Sequence, residues 1–407
     1  MKKIVVIGSS IAGLNGIDVI RQRDKEAEII LISDETDIYS KCIMHYYMNG
    51  ERTKEGLSFV GEDFMETNRV NWMKGQKAVR IDTEAKLVIL KDGQKVSYDD
   101  LLLAVGSDAF VPPIEGIEGV KNIYPFHTLD DCEIIMEKAQ TASNVVILGA
   151  GLVGVDVAKG LIGLTKNITI MDMKDHMLSI QLDDKAAAVY EKAFRENGVD
   201  QIYGVGVKAV EADSAGNVQN VILTDGRKLA CDLLIIAAGT RANKELAEAS
   251  GIETDKFGVI IDTCCRTSAD HVYAAGDVTG RDMVWPAAAK EAMVAAFNIT
   301  GTPREMTDFF KGKSTINIFD VPTMSFGIPN APDASYTEEI KEGTDGSYQK
   351  IIHKEGKIYG VILQKDLFYT GILNQIISTG TDLTSIKKPL LDLDYADLMV
   401  MEGVQNW

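Results

Sequence analysis

Two segments of the chain share one glycine-rich pattern, in which a short apolar run leads directly into closely spaced glycines. The first is IVVIGSSIAG at Ile4 to Gly13, and the second is VVILGAGLVG at Val145 to Gly154. Each run predicts a buried strand, a tight turn and a helix whose first amide groups face a bound phosphate. The repeat therefore indicates two similar strand-turn-helix units, each suited to a dinucleotide.

The first copy places small residues where a dinucleotide approaches the backbone. Gly8 stands at the tight turn, Ser10 replaces the usual second glycine, and Gly13 lets the helix approach the strand. The next predicted strand, EIILISDE, ends with Asp34 and Glu35 about 20 residues beyond the turn, where a carboxylate can bind a ribose diol. We expect Glu35 to make that contact.

The second copy fits the dinucleotide pattern fully, with glycine at Gly149, Gly151 and Gly154. The strand NITIMDM ends at Asp172, whose carboxylate would repel the 2′-phosphate of NADPH, so we expect a preference for NADH. Lys174 weakens this expectation because its charge offsets the repulsion. Two dinucleotide sites in one chain indicate hydride transfer between two cofactors.

The composition excludes several other classes of protein. The chain has 407 residues, is 45% hydrophobic and 25% charged, and has no apolar run near the roughly 20 residues that span a bilayer. Its net charge of −18 argues against binding to nucleic acid or anionic membranes. The opening apolar stretch is too short for a signal peptide, so we expect a cytoplasmic location. The five cysteines lack the spacing of a zinc or iron-sulfur site, which indicates a reducing compartment and no bound metal: Cys42, Cys132, Cys231, Cys264 and Cys265.

The order of predicted elements indicates an α/β fold with two Rossmann-like dinucleotide-binding domains and a C-terminal α+β interface domain. The first domain comprises residues 1–107 and 240–300, because we expect the chain to return to it after the second domain. The second domain comprises residues 108–239 and follows a linker at Pro112-Pro113. Residues 301–407 change to strands such as STINIFDV, YQKIIHK and KIYGVILQ, which indicate the separate α+β domain.

Five segments, in this order, resemble the FAD-dependent pyridine nucleotide-disulfide oxidoreductase superfamily over nearly the whole chain. They are the two glycine turns and the runs YDDLLLAVGS, LLIIAAGTRAN and VYAAGDV. The segment SDETDIYSK resembles the rubredoxin reductase and nitrite reductase flavoprotein branch, whereas Cys42 with YYMNG resembles NADH oxidase, NADH peroxidase and coenzyme A disulfide reductase. The resemblance implies FAD in the first domain and NADH in the second.

The resemblance also implies which residues contact FAD. The first glycine turn would hold the pyrophosphate, and Asp34 and Glu35 would lie at the adenosine ribose. Lys41 would bind a phosphate or ribitol oxygen, and the Ala78 main chain would contact the adenine. Asp277 would bind the ribityl or phosphate end. The full implied set is Gly8, Ser10, Ile11, Ala12, Gly13, Asp34, Glu35, Lys41, Ala78, Ala104, Gly106, Asp277 and Ala287.

Ala287 opens a predicted alanine-rich helix, Ala287 to Asn298, directly after Pro286. Proline suits the first helical position, and the amides at this helix end would face the flavin pyrimidine carbonyl. An ordinary buried helix has the same composition, so only its position after Asp277 favours the functional interpretation. For NADH, the resemblance implies contacts with Gly149, Gly151, Leu152, Val153, Gly154, Asp172 and Gly239.

Cys42 has two interpretations. A lone cysteine is most often a small buried hydrophobe. The resemblance implies instead a thiol that cycles through a sulfenate or mixed disulfide beside the flavin, which requires a low thiol pKa. Ile43 replaces the usual glycine after that cysteine, and Ile11 replaces the peroxidase histidine, so peroxide reduction is disfavoured. The paired cysteines of the glutathione reductase branch are absent as well.

His45 and Asp156 form a second hypothesis. They stand where dithiol relatives place a lysine near flavin N5 and its glutamate partner, so a histidine-aspartate pair could tune protonation at N5. In the alternative interpretation, His45 only makes local hydrogen bonds. The sequence leaves both open.

The leading function is an NADH-dependent flavoprotein that passes electrons to an iron-sulfur carrier, rubredoxin or ferredoxin, or to a larger redox enzyme complex. The alternative is an NADH oxidase or a coenzyme A disulfide or persulfide reductase that uses Cys42. A third possibility is a flavoprotein whose reduced state alters a protein partner. The resemblance further implies a homodimer that forms through the C-terminal domain. Alternatively, this domain is the docking surface for a larger electron-transfer complex.

Overall fold

The computed structural model describes residues 1–307, 312–394 and 396–397. Its strands are β1 (Lys3–Ile7), β2 (Glu28–Ser33), β3 (Val70–Lys74), β4 (Ala78–Asp82), β5 (Leu87–Leu90), β6 (Lys95–Ser97), β7 (Asp100–Leu103), β8 (Ser107–Ala109), β9 (Ile123–Pro125), β10 (Asn144–Leu148), β11 (Asn167–Met171), β12 (Val199–Ile202), β13 (Val207–Ala212), β14 (Val218–Leu223), β15 (Lys228–Ala230), β16 (Leu233–Ile236), β17 (Thr240–Ala242), β18 (Val272–Ala274), β19 (Ser314–Ile318), β20 (Val321–Gly327), β21 (Thr337–Glu342), β22 (Tyr348–Lys354) and β23 (Lys357–Gln364). Its α-helices are α1 (Ile11–Arg23), α2 (Met44–Met48), α3 (Phe64–Thr67), α4 (Leu129–Ala139), α5 (Leu152–Leu161), α6 (Asp184–Glu196), α7 (Glu245–Glu248), α8 (Trp285–Ile299) and α9 (Thr370–Thr379). No helix among these residues combines the length and apolar composition needed to cross a membrane.

The chain divides into two compact units. The first unit comprises residues 1–112, 125–136 and 238–307. The second unit comprises residues 113–124 and 137–237 together with the described part of 308–407. Each unit contains one of the two glycine turns, and the α/β class with Rossmann-like sheets is confirmed. The three-domain division stays a prediction.

The first unit is built on a five-stranded sheet in the order β18-β7-β1-β2-β3, whose neighbouring strands are all parallel. Ile4 and Val6 of β1 pack with α1 and α8, whereas Val5 and Ile7 pack with the antiparallel sheet β4-β5-β6. Side chains alternate along a strand, so layers on both faces bury β1 from Ile4 to Ile7. The first glycine turn leaves the carboxyl end of β1, where open parallel sheets bind ligands.

The second unit repeats this plan around the sheet β12-β11-β10-β16-β9. Strand β10 is parallel to both β11 and β16, and the second glycine turn leaves its carboxyl end. A three-stranded antiparallel sheet, β13-β14-β15, lies in the same unit. The C-terminal strands form an antiparallel sheet in the order β19-β20-β23-β22-β21, covered by the apolar side chains of α9.

Buried polar contacts connect helix α6 to the C-terminal sheet within the second unit. Asp183 caps α6 by accepting a hydrogen bond from Ala186 N at 3.0 Å. The same carboxylate accepts hydrogen bonds from the Tyr348 hydroxyl at 2.6 Å and from Lys350 Nζ at 3.1 Å. Breaking a buried, hydrogen-bonded ion pair is costly, so these contacts fix the sheet against α6.

Candidate functional site

The first glycine turn is closed to side chains by the surrounding backbone. Gly8 has φ of +113°, and a Cβ built there would lie 2.1 Å from the carbonyl oxygen of Ala104. A Cβ on Gly13 would lie 1.9 Å from the carbonyl oxygen of Gly8. Only glycine allows β1, the turn and α1 to approach so closely. The predicted reasons for Gly8 and Gly13 agree with this geometry.

Helix α1 presents its first amide groups at this turn. Ser10 has an extended backbone at the N-cap position, and its side chain makes no capping hydrogen bond with the described residues. The first amides of an α-helix have no partner within the helix. The amides of Ile11, Ala12 and Gly13 are therefore suited to a diphosphate, which the positive helix end also favours.

Residues distant in sequence complete this side of the turn. Gly276 has φ of +83°, and a Cβ built there would lie 3.0 Å from the Cβ of Ala12 and 3.4 Å from that of Ala288. The neighbouring Asp277 accepts a hydrogen bond from Ser107 Oγ at 2.7 Å. Helix α8 begins at Trp285, two residues before the predicted Ala287, with proline in its first turn. The first turn, Asp277 and the start of α8 are thus brought together.

The acidic end of β2 differs between its two residues. Glu35 is half-buried and accepts a hydrogen bond from the Tyr39 hydroxyl at 2.8 Å. Asp34 is exposed, and its Oδ2 lies 3.8 Å from Nζ of Lys77. Burial raises the pKa of Glu35, and the Tyr39 hydrogen bond opposes that effect. Of the two predicted carboxylates, Glu35 is the one built into the fold.

Lys41 contacts His127, a residue that no sequence pattern selects. Its Nζ is 2.9 Å from Nε2 of His127, 86 positions away in the chain. Burial lowers the pKa of Lys41, although Glu35 and Asp277 oppose this by favouring its charge. Burial, followed by the charge of Lys41, also lowers the pKa of His127. Because its pKa is lowered, His127 is the acceptor of this hydrogen bond, and Lys41 is the group whose charge suits an anion.

Three further residues predicted to contact the cofactor lie on the first unit's framework. Ala104 directly follows β7, and its amide donates to the carbonyl oxygen of Ile7 at 2.8 Å. Gly106 has φ of +69°, with no described atom within 4 Å of a Cβ built on it. Ala78 opens β4 and pairs with Leu90 beside a register shift. The bulge directs the local backbone away from regular pairing.

The second glycine turn has the same strand-turn-helix design. Gly149 has φ of +112°, and a Cβ on Gly154 would lie 1.9 Å from the carbonyl oxygen of Gly149. Gly151 caps α5, and no described atom lies within 4 Å of a Cβ built on it. Leu152 opens α5, and Val153 is exposed in its first turn. Space is therefore left beside Gly151, the position that Ser10 occupies in the first turn.

Asp172 follows β11 and contacts the second turn directly. Its Oδ2 accepts a hydrogen bond from Ala150 N at 2.7 Å, and its Oδ1 accepts one from Lys174 N at 2.9 Å. The next residue, Met173, is 73% exposed. The carboxylate is therefore held beside the glycine turn at the protein surface, as a ribose contact requires.

Residues 2–292 match the sequence pattern of the pyridine nucleotide-disulphide oxidoreductases. The chain belongs to this family. It is an NAD(P)H-dependent FAD oxidoreductase, and its cofactors are FAD and NADH. The resemblance drawn from the sequence is confirmed.

Three known proteins illustrate the similarity. The epsilon subunit of NADH-dependent phenylglyoxylate dehydrogenase from Aromatoleum evansii is 28% identical over 398 residues, covering 95% of this chain and 93% of that subunit. The assimilatory nitrate reductase electron transfer subunit of Bacillus subtilis (strain 168) is 25% identical over 96% of this chain, which spans only 51% of that protein. Putidaredoxin reductase, solved in a covalent complex with putidaredoxin, shares the fold with a TM-score of 0.83 at 24% identity, with 94% of each chain covered.

The first turn of this oxidoreductase fits the diphosphate of FAD. Gly8 and Gly13 leave no room for side chains, and the α1 amides supply donors for the phosphate oxygens. When bound, FAD can take up an electron pair from NADH and release electrons singly. The protein contributes binding, orientation and electrostatics.

The remaining predicted residues lie in both units. Cys42 is exposed on the short 3₁₀ turn Lys41–Ile43, and His45 is 6% exposed in α2 of the first unit. Asp156 lies on α5 of the second unit, where burial raises its pKa well above the usual range. Gly239 belongs to the first unit, has φ of +108°, and accepts a hydrogen bond from Phe110 N at 2.9 Å. The His45-Asp156 pair and the NADH contact of Gly239 stay predictions.

Proposed function

We propose that this oxidoreductase transfers electrons between NADH and the iron-sulfur centre of a protein partner. The partner is a carrier such as rubredoxin or ferredoxin, or a partner enzyme. The observation that carries this proposal is the burial of three of the four cysteines other than Cys42. Burial raises the pKa of Cys132 and of Cys231 to about 12 and also raises that of Cys265. Thiols held protonated in this way are poor redox partners for a flavin or for Cys42.

In this proposal the first unit holds FAD permanently. The first glycine turn binds the diphosphate, Glu35 the adenosine ribose, and Asp277 the ribityl or phosphate end. Lys41, with His127 beside it, supplies positive charge to an FAD oxygen. The amide groups at the start of α8 face the flavin and favour negative charge there.

The second unit binds NADH in the same proposal. The amides at the start of α5 receive the NADH diphosphate, and Gly151 leaves space for its approach. Asp172 accepts hydrogen bonds from the adenosine ribose and disfavours a 2′-phosphate at that position. This assignment supports NADH as the donor, with the backbone amide of Ala150 fixing the carboxylate.

A partner enzyme is the acceptor that we favour over a freely diffusing carrier. One similar protein is a subunit of a dehydrogenase, and another is an electron transfer subunit. The net charge of −18 steers an acidic ferredoxin poorly, because like charges repel during encounter. A partner held by a stable contact does not depend on such steering.

Anaerobic titration with NADH tests the proposal. We expect uptake of about two electrons per FAD, because only the flavin accepts the pair. The reduced protein should then reduce an iron-sulfur protein added in excess, as followed by the visible spectrum of its cluster. Uptake of about four electrons per FAD would contradict the proposal by revealing a second redox centre.

The exposure of Cys42 favours the thiol enzyme as the second candidate. An exposed thiol can react with a disulfide or persulfide substrate if its pKa is lowered. In that case a coenzyme A disulfide or a persulfide would oxidise the NADH-reduced protein, and Cys42→Ser would abolish this reaction. Reduction of the iron-sulfur partner by the same variant would be unchanged under the leading proposal.

A further inference from the structure

Glu291 is a buried carboxyl group that sequence reasoning did not select. It lies on α8 and is 3% exposed. Its Oε2 accepts a hydrogen bond from the main-chain amide of Gly276 at 2.8 Å and lies 3.2 Å from the hydroxyl oxygen of Thr279. That hydroxyl also lies 3.0 Å from the carbonyl oxygen of Gly276. One carboxyl group therefore contacts both ends of a short turn.

The turn that Glu291 holds has little freedom to shift. Gly276 has φ of +83° and ψ of −158°, a conformation that only glycine adopts easily. A Cβ there would lie 3.0 Å from Ala12 in α1 and 3.4 Å from Ala288 in α8. On the far side, Ser107 Oγ donates to Asp277 at 2.7 Å. Asp277 thus lies between two hydrogen-bonded anchors.

We propose that Glu291 is a positioning residue for FAD, which acts by holding the Gly276–Gly280 turn so that Asp277 meets the bound cofactor. The proposal rests on the proposed function through the FAD contact of Asp277. Glu291 itself does not touch the cofactor in this arrangement.

The neutral form of Glu291, which burial favours, can also donate a hydrogen bond within the turn. Gly276 N-H donates to Oε2, the carboxyl O-H can donate to the Thr279 oxygen, and the Thr279 hydroxyl can donate on to the Gly276 carbonyl. Ionisation makes the carboxylate compete for the Thr279 hydroxyl proton, so the Gly276 carbonyl keeps only the main-chain amide of Thr279 as a donor, at 2.9 Å.

Burial raises the pKa of Glu291 to about 7, against the opposing effects of the Gly276 and Thr279 hydrogen bonds. The charged neighbours are Arg281, which favours the carboxylate, and Asp282, which disfavours it. The Cys265 thiol is also coupled to Glu291, whose charge helps to raise the thiol pKa. A bound anionic diphosphate further disfavours charge on Glu291. FAD affinity should therefore fall as the pH rises through about 7.

The experiment measures the FAD dissociation constant of the full-length protein, by flavin fluorescence after reconstitution, at about pH 6 and about pH 8.5. Glu291→Gln keeps an acceptor for Gly276 and a donor for Thr279, so its affinity should match the wild type at the lower pH and vary little with pH. Glu291→Leu leaves a buried amide without an acceptor and should weaken FAD binding roughly tenfold at both values.

Thr279→Val provides a second variant in case Glu291→Leu does not fold. It keeps the Gly276 contact and removes the hydroxyl of the ring, so we expect FAD binding weakened by roughly threefold or more, with a changed pH profile. Wild-type affinity and pH dependence retained in both Glu291→Gln and Thr279→Val would overturn the proposal. A wild-type protein that binds no FAD at either pH would instead overturn the proposed function.

Discussion

The two glycine turns share one backbone design but differ in how they are enclosed. Around the first turn, atoms of other segments occupy the space beside Gly8, and Gly276 approaches Ala12 of α1. At the second turn, Gly154 is packed as closely as Gly13, but no described atom lies within 4 Å of a Cβ built on Gly151, the equivalent of Ser10. An enclosed turn suits a cofactor that stays bound, and an open one suits a cofactor that exchanges at every turnover.

The acidic residues beside the two turns are both half-buried but differ in their hydrogen-bond partners. Glu35 is half-buried and hydrogen-bonded to the Tyr39 hydroxyl, so its position depends on the folded interior. Asp172 accepts its hydrogen bond from Ala150 of the turn itself and lies next to the exposed Met173. We therefore expect the segments packed around each glycine turn to decide whether its cofactor stays bound or exchanges.

Valine substitutions of the last glycine in each turn, Gly13 and Gly154, should have the strongest effects on cofactor binding. In Gly13→Val and Gly154→Val, the new Cβ would lie 1.9 Å from a backbone carbonyl oxygen. We expect Gly13→Val to be purified colourless, because α1 can no longer reach the diphosphate. Gly154→Val should remain yellow but should not be reduced by NADH.

Flavin absorbance and anaerobic reduction by NADH distinguish these outcomes. Dithionite, which needs no nucleotide site, should still bleach Gly154→Val, as a control for an intact flavin. Loss of FAD from both variants alike would contradict the division between a retaining and an exchanging turn.

Glu291→Gln should change the pH dependence of stability in the unit that contains the first turn. The pKa of this carboxyl is about 7 in the folded protein, against an ordinary value of 4.5. As the pH rises, the unfolded chain releases the proton first, so the wild type loses up to about 3 kcal/mol of unfolding free energy between roughly pH 4.5 and pH 8. Glu291→Gln should not lose this unfolding free energy, so it should be more stable than the wild type at about pH 8.

Chemical denaturation of the FAD-loaded protein at about pH 5 and about pH 8 measures the difference. Glu253→Gln, a substitution of an exposed glutamate in the same unit, is the control and should follow the wild type. Parallel pH profiles for all three proteins would show that Glu291 is charged throughout this range.

Asp172→Ala should have a smaller effect, confined to the exchanging turn. Loss of a charged hydrogen-bond acceptor should lower kcat/KM for NADH roughly tenfold, since such bonds contribute ~1.5 kcal/mol. The discrimination against NADPH should decrease, because the repulsion of its 2′-phosphate is removed. Steady-state kinetics with both nucleotides test this, and the neighbouring exposed residue offers the matched control Asp175→Ala. Unaltered selectivity in Asp172→Ala would exclude its ribose contact.

Local features of the site could be predicted from the sequence, and long-range contacts could not. The glycines were predictable because strand, turn and helix follow one another within ten residues or so. The strands YQKIIHK and KIYGVILQ coincide with β22 and β23, whereas STINIFDV contains β19, a turn at Phe319 and Asp320, and the first residue of β20. Lys41 lies 86 positions from His127, and Ser107 lies 170 positions from Asp277. No local sequence pattern predicts contacts over such separations.

Glu291 shows why such residues escape sequence reasoning. It occupies a helix whose alanine-rich composition predicts only burial, and its partner is the main-chain amide of Gly276, which any residue except proline would supply. The sequence signal that could have identified Glu291 is an acidic residue within an apolar helix. A carboxyl group is almost never buried without a partner, so such a residue indicates a specific contact.

Cys42→Ser should have the smallest effect of these substitutions on electron transfer. It tests whether the exposed Cys42 thiol exchanges electrons with the flavin. If the flavin alone mediates transfer, NADH-dependent reduction of an iron-sulfur protein should stay within about twofold of wild type, since a surface Ser replaces Cys at little cost. The rate with the partner protein and the electron count per FAD are measured together. Cys132→Ala, which changes a buried cysteine, is the control. It should lower the stability of the protein and leave the rate of electron transfer unchanged. A Cys42→Ser protein that takes up fewer electrons than the wild type would assign the thiol to the redox centre, and the retaining turn would then serve a flavin-thiol pair.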